Sequence, residues 1–260
     1  MRQANRLRKR AREPEFHAMT TPRRIVCLVP SLTELAWWLG AGDRLVGRTR
    51  FCVEPAGEID RIPAIGGTKD PDVARVIALE PDLIIANREE NRREDVEALL
   101  KAGIRVLLTD PVTVIEAAVM VREVGDILGC EDRAAGLADE LESLPGAAPA
   151  GGPRVFVPIW RRPLMGLGSG TFGEDILRCA GGVNVLSERE RYPEVTIEEI
   201  RGLGPDLVLL PDEPFRFREK HVPEFAAAAP ARLVRGQDLF WYGPRTPAAI
   251  RRLRRMFGTG

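Results

Sequence analysis

The sequence predicts an α/β protein of two lobes, each built on a mainly parallel sheet and joined by a bridging helix. Three observations predict it. Apolar β-branched runs alternate with amphipathic stretches along the 260 residues, the pattern of strands buried on both faces by crossover helices. The second half repeats the first: "IEEIRGLGPDLVLLPDEP" follows the plan of "VARVIALEPDLIIANREE". A Pro/Gly/Ala connector, "PGAAPAGGP", lies between the halves. Two copies of a unit of roughly 100 residues are the simplest account, and each reads as Rossmann-like.

The elements follow in order. "RIVCLV" is a continuous apolar strand, and "SLTELAWWLGAG" is a helix that Ser31 or Thr33 caps and Gly40 and Gly42 end. "RLVGRT" is a short strand. "DPDVARVIALEPDLIIAN" is a helix broken at Pro81, then the strand "LIIA". "REDVEALLKAG" and "IRVLLTD" are the next helix and strand; "TVIEAAVMVREVGDILG" and "EDRAAGLADELESL" are the bridging helices. "RVFVPIW" opens the second lobe as a strand, and "GTFGEDILRCAGGVNVL" repeats the helix, stop and short strand of the first. The predicted boundaries are a basic tail at 1–22, a first lobe at 23–112, bridging helices and connector at 113–152, and a second lobe at 153–260.

Composition narrows the function. The chain is 44% hydrophobic and 29% charged, which suits a protein with a substantial core. Its formal net charge of +0 argues against nucleic acid as a partner. The basic stretch before Glu13 reads as a solvated tail or as sequence upstream of a start at Met19. No secretory signal is recognisable in the first residues, and no run is long enough to insert in a membrane. The four cysteines form no CxxC pair; Cys27, in a strand, and Cys179, in a helix, read as buried small hydrophobes. Together these predict a cytoplasmic protein, with a periplasmic one only if translation starts elsewhere.

In doubly wound sheets ligands sit outside the carboxyl ends of the strands, so the residues after each strand are the candidate site. The first lobe offers Ser31, Thr68, Lys69, Arg88 and Glu89. The second offers Trp160, Arg161, Tyr192, Phe215, Arg216, Trp241 and Tyr242. Half the tryptophans and both tyrosines fall in this set. Rings at loop positions, with a few Arg and Glu, suit a large planar ligand with polar edges. "GLGSG" is a poor phosphate cradle: its glycines miss the dinucleotide spacing, and Gly-Lys-Ser/Thr is absent. Catalytic sets are thin. His17 lies in the tail and His221 in "REKHVPEF", and neither joins a nucleophile. The pairs Glu89–Glu90 and Glu198–Glu199 read as solvated helix faces. An enzyme acting on a metallocofactor is the alternative, with Glu89, Glu90, Asp212 and Glu213 as its acid–base candidates.

"RIVCLVPSLTELAWWLGAGDRLVG", "IGGTKDPDVARVIALEPDLIIANREEN", "GTFGEDILRCAGGVNVL" and "RYPEVTIEEIRGLGPDLVLLPDEP" resemble the helical-backbone substrate-binding proteins of ABC importers. The likeness covers roughly residues 23–257, and cobalamin binders are the closest members, with siderophore and haem binders as cousins. The resemblance implies a ligand clamped between two lobes and no catalysis. It also implies that Trp160, Tyr192 and Trp241 pack on the ligand faces, while Thr68, Lys69 and Arg88 meet its polar rim. Any metal would arrive inside a chelate such as a corrinoid, a siderophore or haem, with no cofactor of the protein's own. Such proteins dock on a permease through one exposed glutamate per lobe. The second-lobe position falls on Glu198 and the first-lobe position on Ala74.

Overall fold

The computed structural model describes residues 20–144 and 151–258. Residues 1–19 of the basic tail, Met19 included, residues 145–150 of the connector and residues 259–260 lie outside the described residues.

Strands β1 (Ile25–Cys27), β2 (Leu45–Arg48), β3 (Leu83–Asn87) and β4 (Val106–Thr109) form a parallel sheet in the order β2-β1-β3-β4. Helices α1 (Pro30–Ala36), α2 (Val73–Ala78) and α3 (Arg93–Lys101) follow β1, precede β3 and follow β3. Successive strand side chains point to opposite faces, and the packing obeys this. Ile25, Cys27, Leu83 and Ile85 enter one core, while Val26, Ile84 and Ala86 enter another with Val76 and Leu99.

Helices α4 (Val114–Leu128) and α5 (Glu131–Ser143) bridge to the second lobe as a hairpin. Thr113 caps α4 by accepting from the Glu116 amide, and Gly129 ends it at a φ of 64°. The hairpin closes tightly because Gly125 faces Ala134: a Cβ on Gly125 would lie 2.1 Å from that of Ala134.

The second sheet holds β5 (Arg154–Phe156), β8 (Val183–Asn184), β9 (Leu207–Pro211) and β10 (Ala231–Val234) in the order β10-β9-β5-β8. Reversed, this is the order of the first sheet, with β5 matching β1 and β9 matching β3. The run expected as one strand, "RVFVPIW", is split. After β5 the chain forms an antiparallel hairpin of β6 (Pro158–Arg161) and β7 (Leu164–Gly166). Helices α6 (Phe172–Cys179), α7 (Ile197–Leu203), α8 (Val222–Ala226), α9 (Gln237–Phe240) and α10 (Thr246–Phe257) complete the lobe.

The repeated Pro-Asp motif has the same structural duty in both lobes. Asp82 accepts from the Arg23 and Arg24 amides at 2.8 and 3.0 Å, and Asp206 accepts from the Arg154 amide at 2.7 Å. Arg24 and Arg154 return the favour, donating to the carbonyls of Leu79 and Leu203 at 2.6 and 2.8 Å. The motif thus pins the entry of each central strand. One continuous core then runs from Leu83 and Ile85 through Val121 and Leu141 to Val155, Leu207 and Leu209. The bridge is therefore packed into both lobes. Among the described residues, no helix is long and apolar enough to cross a membrane.

Candidate ligand-binding cleft

The first-lobe wall begins where β3 ends. Asn87 Oδ1 accepts from the amides of Glu89 at 2.8 Å and Glu90 at 3.1 Å, a turn in which the side chain replaces a backbone acceptor. Asn91 closes the loop. Its Oδ1 accepts from the Asn87 amide at 2.8 Å, and its Nδ2 donates to the carbonyls of Leu28 and Thr68. Lys69 Nζ donates to the Glu89 carbonyl at 2.6 Å. The glycine turn before Thr68 needs its composition, because Gly66 sits at a φ of 108° and a Cβ there would meet the Asp70 carbonyl at 2.5 Å.

Held in this way, Glu89 and Glu90 are presented to the second lobe. The expectation of a solvated helical pair is corrected. The two acids lie in a turn rather than a helix, and burial pushes the Glu90 carboxyl up to about 7.

The second-lobe wall is aromatic. Trp160, on β6, is 43% exposed and meets the Phe215 ring edge-on at 5.6 Å between centroids. Phe215 in turn packs on Phe217 and His221. Deeper in, Trp241 and Tyr242 are buried, and Phe172 meets Tyr242 edge-on at 5.2 Å. Glu213 shares this wall, two residues past β9 as Glu89 is two residues past β3. Only glycine at 236 lets the β9 and β10 loops approach: a Cβ there would lie 2.2 Å from Glu213 Cγ. Burial raises the Glu213 carboxyl to about 7, opposed by the neighbouring Trp241 indole.

Polar contacts cross between the lobes. Tyr192 donates its hydroxyl to Glu89 Oε1, and Arg191 pairs with the same oxygen at 3.2 Å. Tyr242 donates to Glu90 Oε1 at 3.1 Å. Arg245, ahead of α10, pairs with Glu34 of α1 at 2.7 Å and lies 3.6 Å from Glu54. Its guanidinium also covers the Trp241 ring at 4.8 Å. Burial, then the Glu89 charge, holds the Tyr192 phenol well above its usual range; burial and Glu90 do the same for Tyr242. Both phenols are donors at neutral pH.

The predicted residues thus divide. Glu89, Tyr192, Trp241, Tyr242, Trp160, Phe215 and Lys69 come together on the two walls. Ser31 lies in the first turn of α1 and does not cap it: Val29 is the N-cap and Pro30 takes the first helical position. Thr33 donates back to the Val29 carbonyl instead, and the buried Ser31 hydroxyl has no hydrogen-bond partner in the protein. Thr68 contributes its backbone carbonyl to Asn91. Arg88 leans toward the sheet edge and pairs with Asp110 at 3.1 Å, and Arg161 pairs with Glu224 at 2.7 Å inside its own lobe. Arg216 is exposed, and Asp212 spends Oδ1 on the Gly236 amide. Glu198 is exposed on the first turn of α7 and Ala74 on α2. Sequence reasoning missed the Arg245–Glu34 pair and Arg191, because a contact across 211 residues leaves no local pattern. Among the described residues no group of three His, Cys, Asp or Glu is placed to hold a metal ion.

Two lobes of equivalent topology, a packed helical bridge and a ring-lined cleft define a bilobal ligand-binding protein. The chain belongs to the periplasmic binding protein family, whose model matches residues 25–227. It is 28% identical over 193 residues to the vitamin B12-binding protein of Salmonella typhimurium, covering 72% of this chain and 71% of that protein. It is 24% identical to that of Pectobacterium carotovorum over 205 residues, covering 76% and 74%. Among solved structures, the periplasmic vitamin B12 binding protein of Vibrio cholerae superposes with a TM-score of 0.78 at 21% identity, covering 91% of this chain and 97% of the other. A periplasmic heme-binding protein of Roseiflexus sp. RS-1 gives 0.77 at 21%, covering 90% and 97%.

The family and these structural neighbours are periplasmic, which points to a periplasmic rather than a cytoplasmic location and overturns the expectation drawn from the first residues and the cysteines. The cysteines carried no such information, since Cys27, Cys52 and Cys179 are buried in the packed interior.

Proposed function

We propose that the protein binds a corrinoid between its lobes and hands it on unchanged. The observation that supports this best is the pairing of an exposed ring, Trp160, at the cleft mouth with buried Trp241 and Tyr242 at its floor. A flat macrocycle has large faces for such rings to cover. The names of the curated relatives supply the ligand class. Among the described residues no nucleophile is paired with a histidine base in the cleft: His221 turns its Nδ1 to the Arg218 amide within its own lobe. The acids Glu89, Glu90 and Glu213 serve contact rather than catalysis in this reading. Thr68, Lys69 and Arg216 supply the outer rim, and exposed Glu198 is the contact offered to an importer's permease.

Tryptophan fluorescence tests the binding claim. The full chain is titrated with cobalamin, cobinamide, haem and a ferric siderophore. Saturable quenching by the two corrinoids at micromolar or lower concentration is expected, weakened about tenfold in Trp160→Ala, the loss of one stacked ring. Quenching by haem or the siderophore alone, or by none of the four, overturns the reading.

A further inference from the structure

Two buried oxygens of the cleft floor have no hydrogen-bond partner in the protein, Ser31 Oγ and Glu213 Oε1. Ser31 is 1% exposed, so solvent does not serve it. Its hydroxyl lies near enough to the Tyr242 phenol to ease that group's ionisation, without forming an aligned bond. The two atoms come from opposite lobes and are linked through the floor. Tyr242 donates to Glu90, and the Glu90 and Glu213 charges act on each other.

The inventory of this floor is one-sided. Ionised carboxylates accept and never donate. Of the floor's own donors, the Tyr242 hydroxyl is engaged on Glu90, and the Trp241 indole lies beside Glu213 and favours its ionised form. The nearby cations are engaged as well. Lys69 holds the Glu89 carbonyl, Arg191 the Glu89 carboxylate, and Arg245 Glu34. Buried acceptors left unmet cost affinity unless the ligand brings N–H groups to them.

We infer that the Ser31–Glu90–Glu213 floor selects macrocycles whose edge carries N–H donors, primary carboxamides above all, and rejects those whose edge carries carboxylates. A primary amide offers two N–H donors and one acceptor, the kinds of partner that Glu213 Oε1 and Ser31 Oγ lack. An edge carboxylate would instead add a negative charge to Glu89, Glu90 and Glu213 in a poorly hydrated site. This rests on the corrinoid reading and names the feature of the corrinoid that the site reads.

The test compares cobinamide with the same corrin after its edge amides have been hydrolysed to acids, by calorimetric titration of the full chain at pH 8. The amide form is expected to bind at least tenfold more tightly, the scale of one well-met buried polar group. Glu213→Gln, which places N–H donors where acceptors stood, is expected to narrow that gap at least threefold. Glu90→Gln serves the same purpose if Glu213→Gln does not fold. Ser31→Ala is expected to weaken the amide form while leaving the acid form nearly unchanged. Equal affinity for the two corrins, or a gap that neither glutamine variant narrows, overturns the selection while leaving a corrinoid binder. Failure of either corrin to bind the wild-type chain sinks the corrinoid reading and this inference with it.

Discussion

At the end of β3 the chain turns on Asn87, and at the matching end of β9 it turns beside Pro211. The first turn is built by side-chain amides: Asn87 and Asn91 hold two acidic residues and tie the loop to Leu28 and Thr68. The second is built by rings, with Phe215, Phe217, His221 and Phe225 in edge-on and tilted contact under Trp160. Two lobes of one topology have therefore divided the cleft. One supplies fixed polar groups and the other supplies apolar area. A polar network can hold charges in place because each member has few allowed partners. A ring cluster gives a face that tolerates small shifts of a flat ligand. That division explains why one fold can keep its frame while the group it reads changes.

Substitutions that strike one support and spare the other sharpen the comparison. Phe225→Ala, at a fully buried ring, is expected to destabilise the second lobe by about 4 kcal/mol, the usual cost of a large core cavity. Urea unfolding checks it, and a loss under about 1 kcal/mol would mean the ring cluster is not the support described. Asn91→Ala leaves the Asn87 amide and two carbonyls without partners, an expected loss of about 3 kcal/mol. It should also weaken corrinoid binding, because Glu89 and Glu90 lose their frame. If stability falls and binding does not, the first lobe's acids are not part of the site.

Arg245→Leu removes the shared partner of Glu34 and Glu54 across the lobes. An expected loss of about 2 kcal/mol follows from the partly buried charge left behind. Glu34→Gln in the same background should restore part of it, and no rescue would show that the arginine acts through packing on Trp241 alone.

The two raised carboxyls give a pH signature. Glu90 faces Tyr242, Glu213, Glu89 and Lys69; Glu213 faces Trp241, Asp212 and Arg245. Both have folded values near 7 against an ordinary 4.5, so the folded state holds protons the unfolded chain has released. Their contribution to stability is complete below about pH 4.5 and is lost as pH rises to about 7, with no further change above that. The melting temperature of wild type minus that of Glu90→Gln/Glu213→Gln should fall across that window. A flat difference would place both carboxyls in ordinary solvent. The smallest effect belongs to the exposed Arg93–Glu97 pair on α3. Arg93→Ala is expected to leave the urea midpoint essentially unchanged, and a clear fall would show α3 anchoring the amide loop.

Much of this frame was legible in the chain. Apolar runs gave the central strands, the Pro-Asp repeat marked equivalent positions in both lobes, and the rule that ligands meet strand ends led to Trp160, Tyr192 and Tyr242. What stayed illegible depended mostly on partners distant in the chain. Glu89–Glu90 looked solvated because burial of Glu90 needs Tyr242, 152 residues away. Arg88 and Arg161 looked like rim contacts because Asp110 and Glu224, which pair with them, carry no mark of that pairing in the sequence. Ser31 looked like a cap because its type fits one; Pro30 at the helix start assigns that position otherwise.

The tyrosine–glutamate contacts between the two walls carry a calorimetric consequence. Tyr192–Glu89 and Tyr242–Glu90 are already made in the free protein, so a ligand entering between them exchanges old hydrogen bonds for new ones. The heat of binding is then small for an interface of its size, and the apolar faces covered by Trp160 and Trp241 show themselves as a negative heat-capacity change. Measured against temperature, the binding enthalpy would become steadily more favourable on warming while the affinity barely moves.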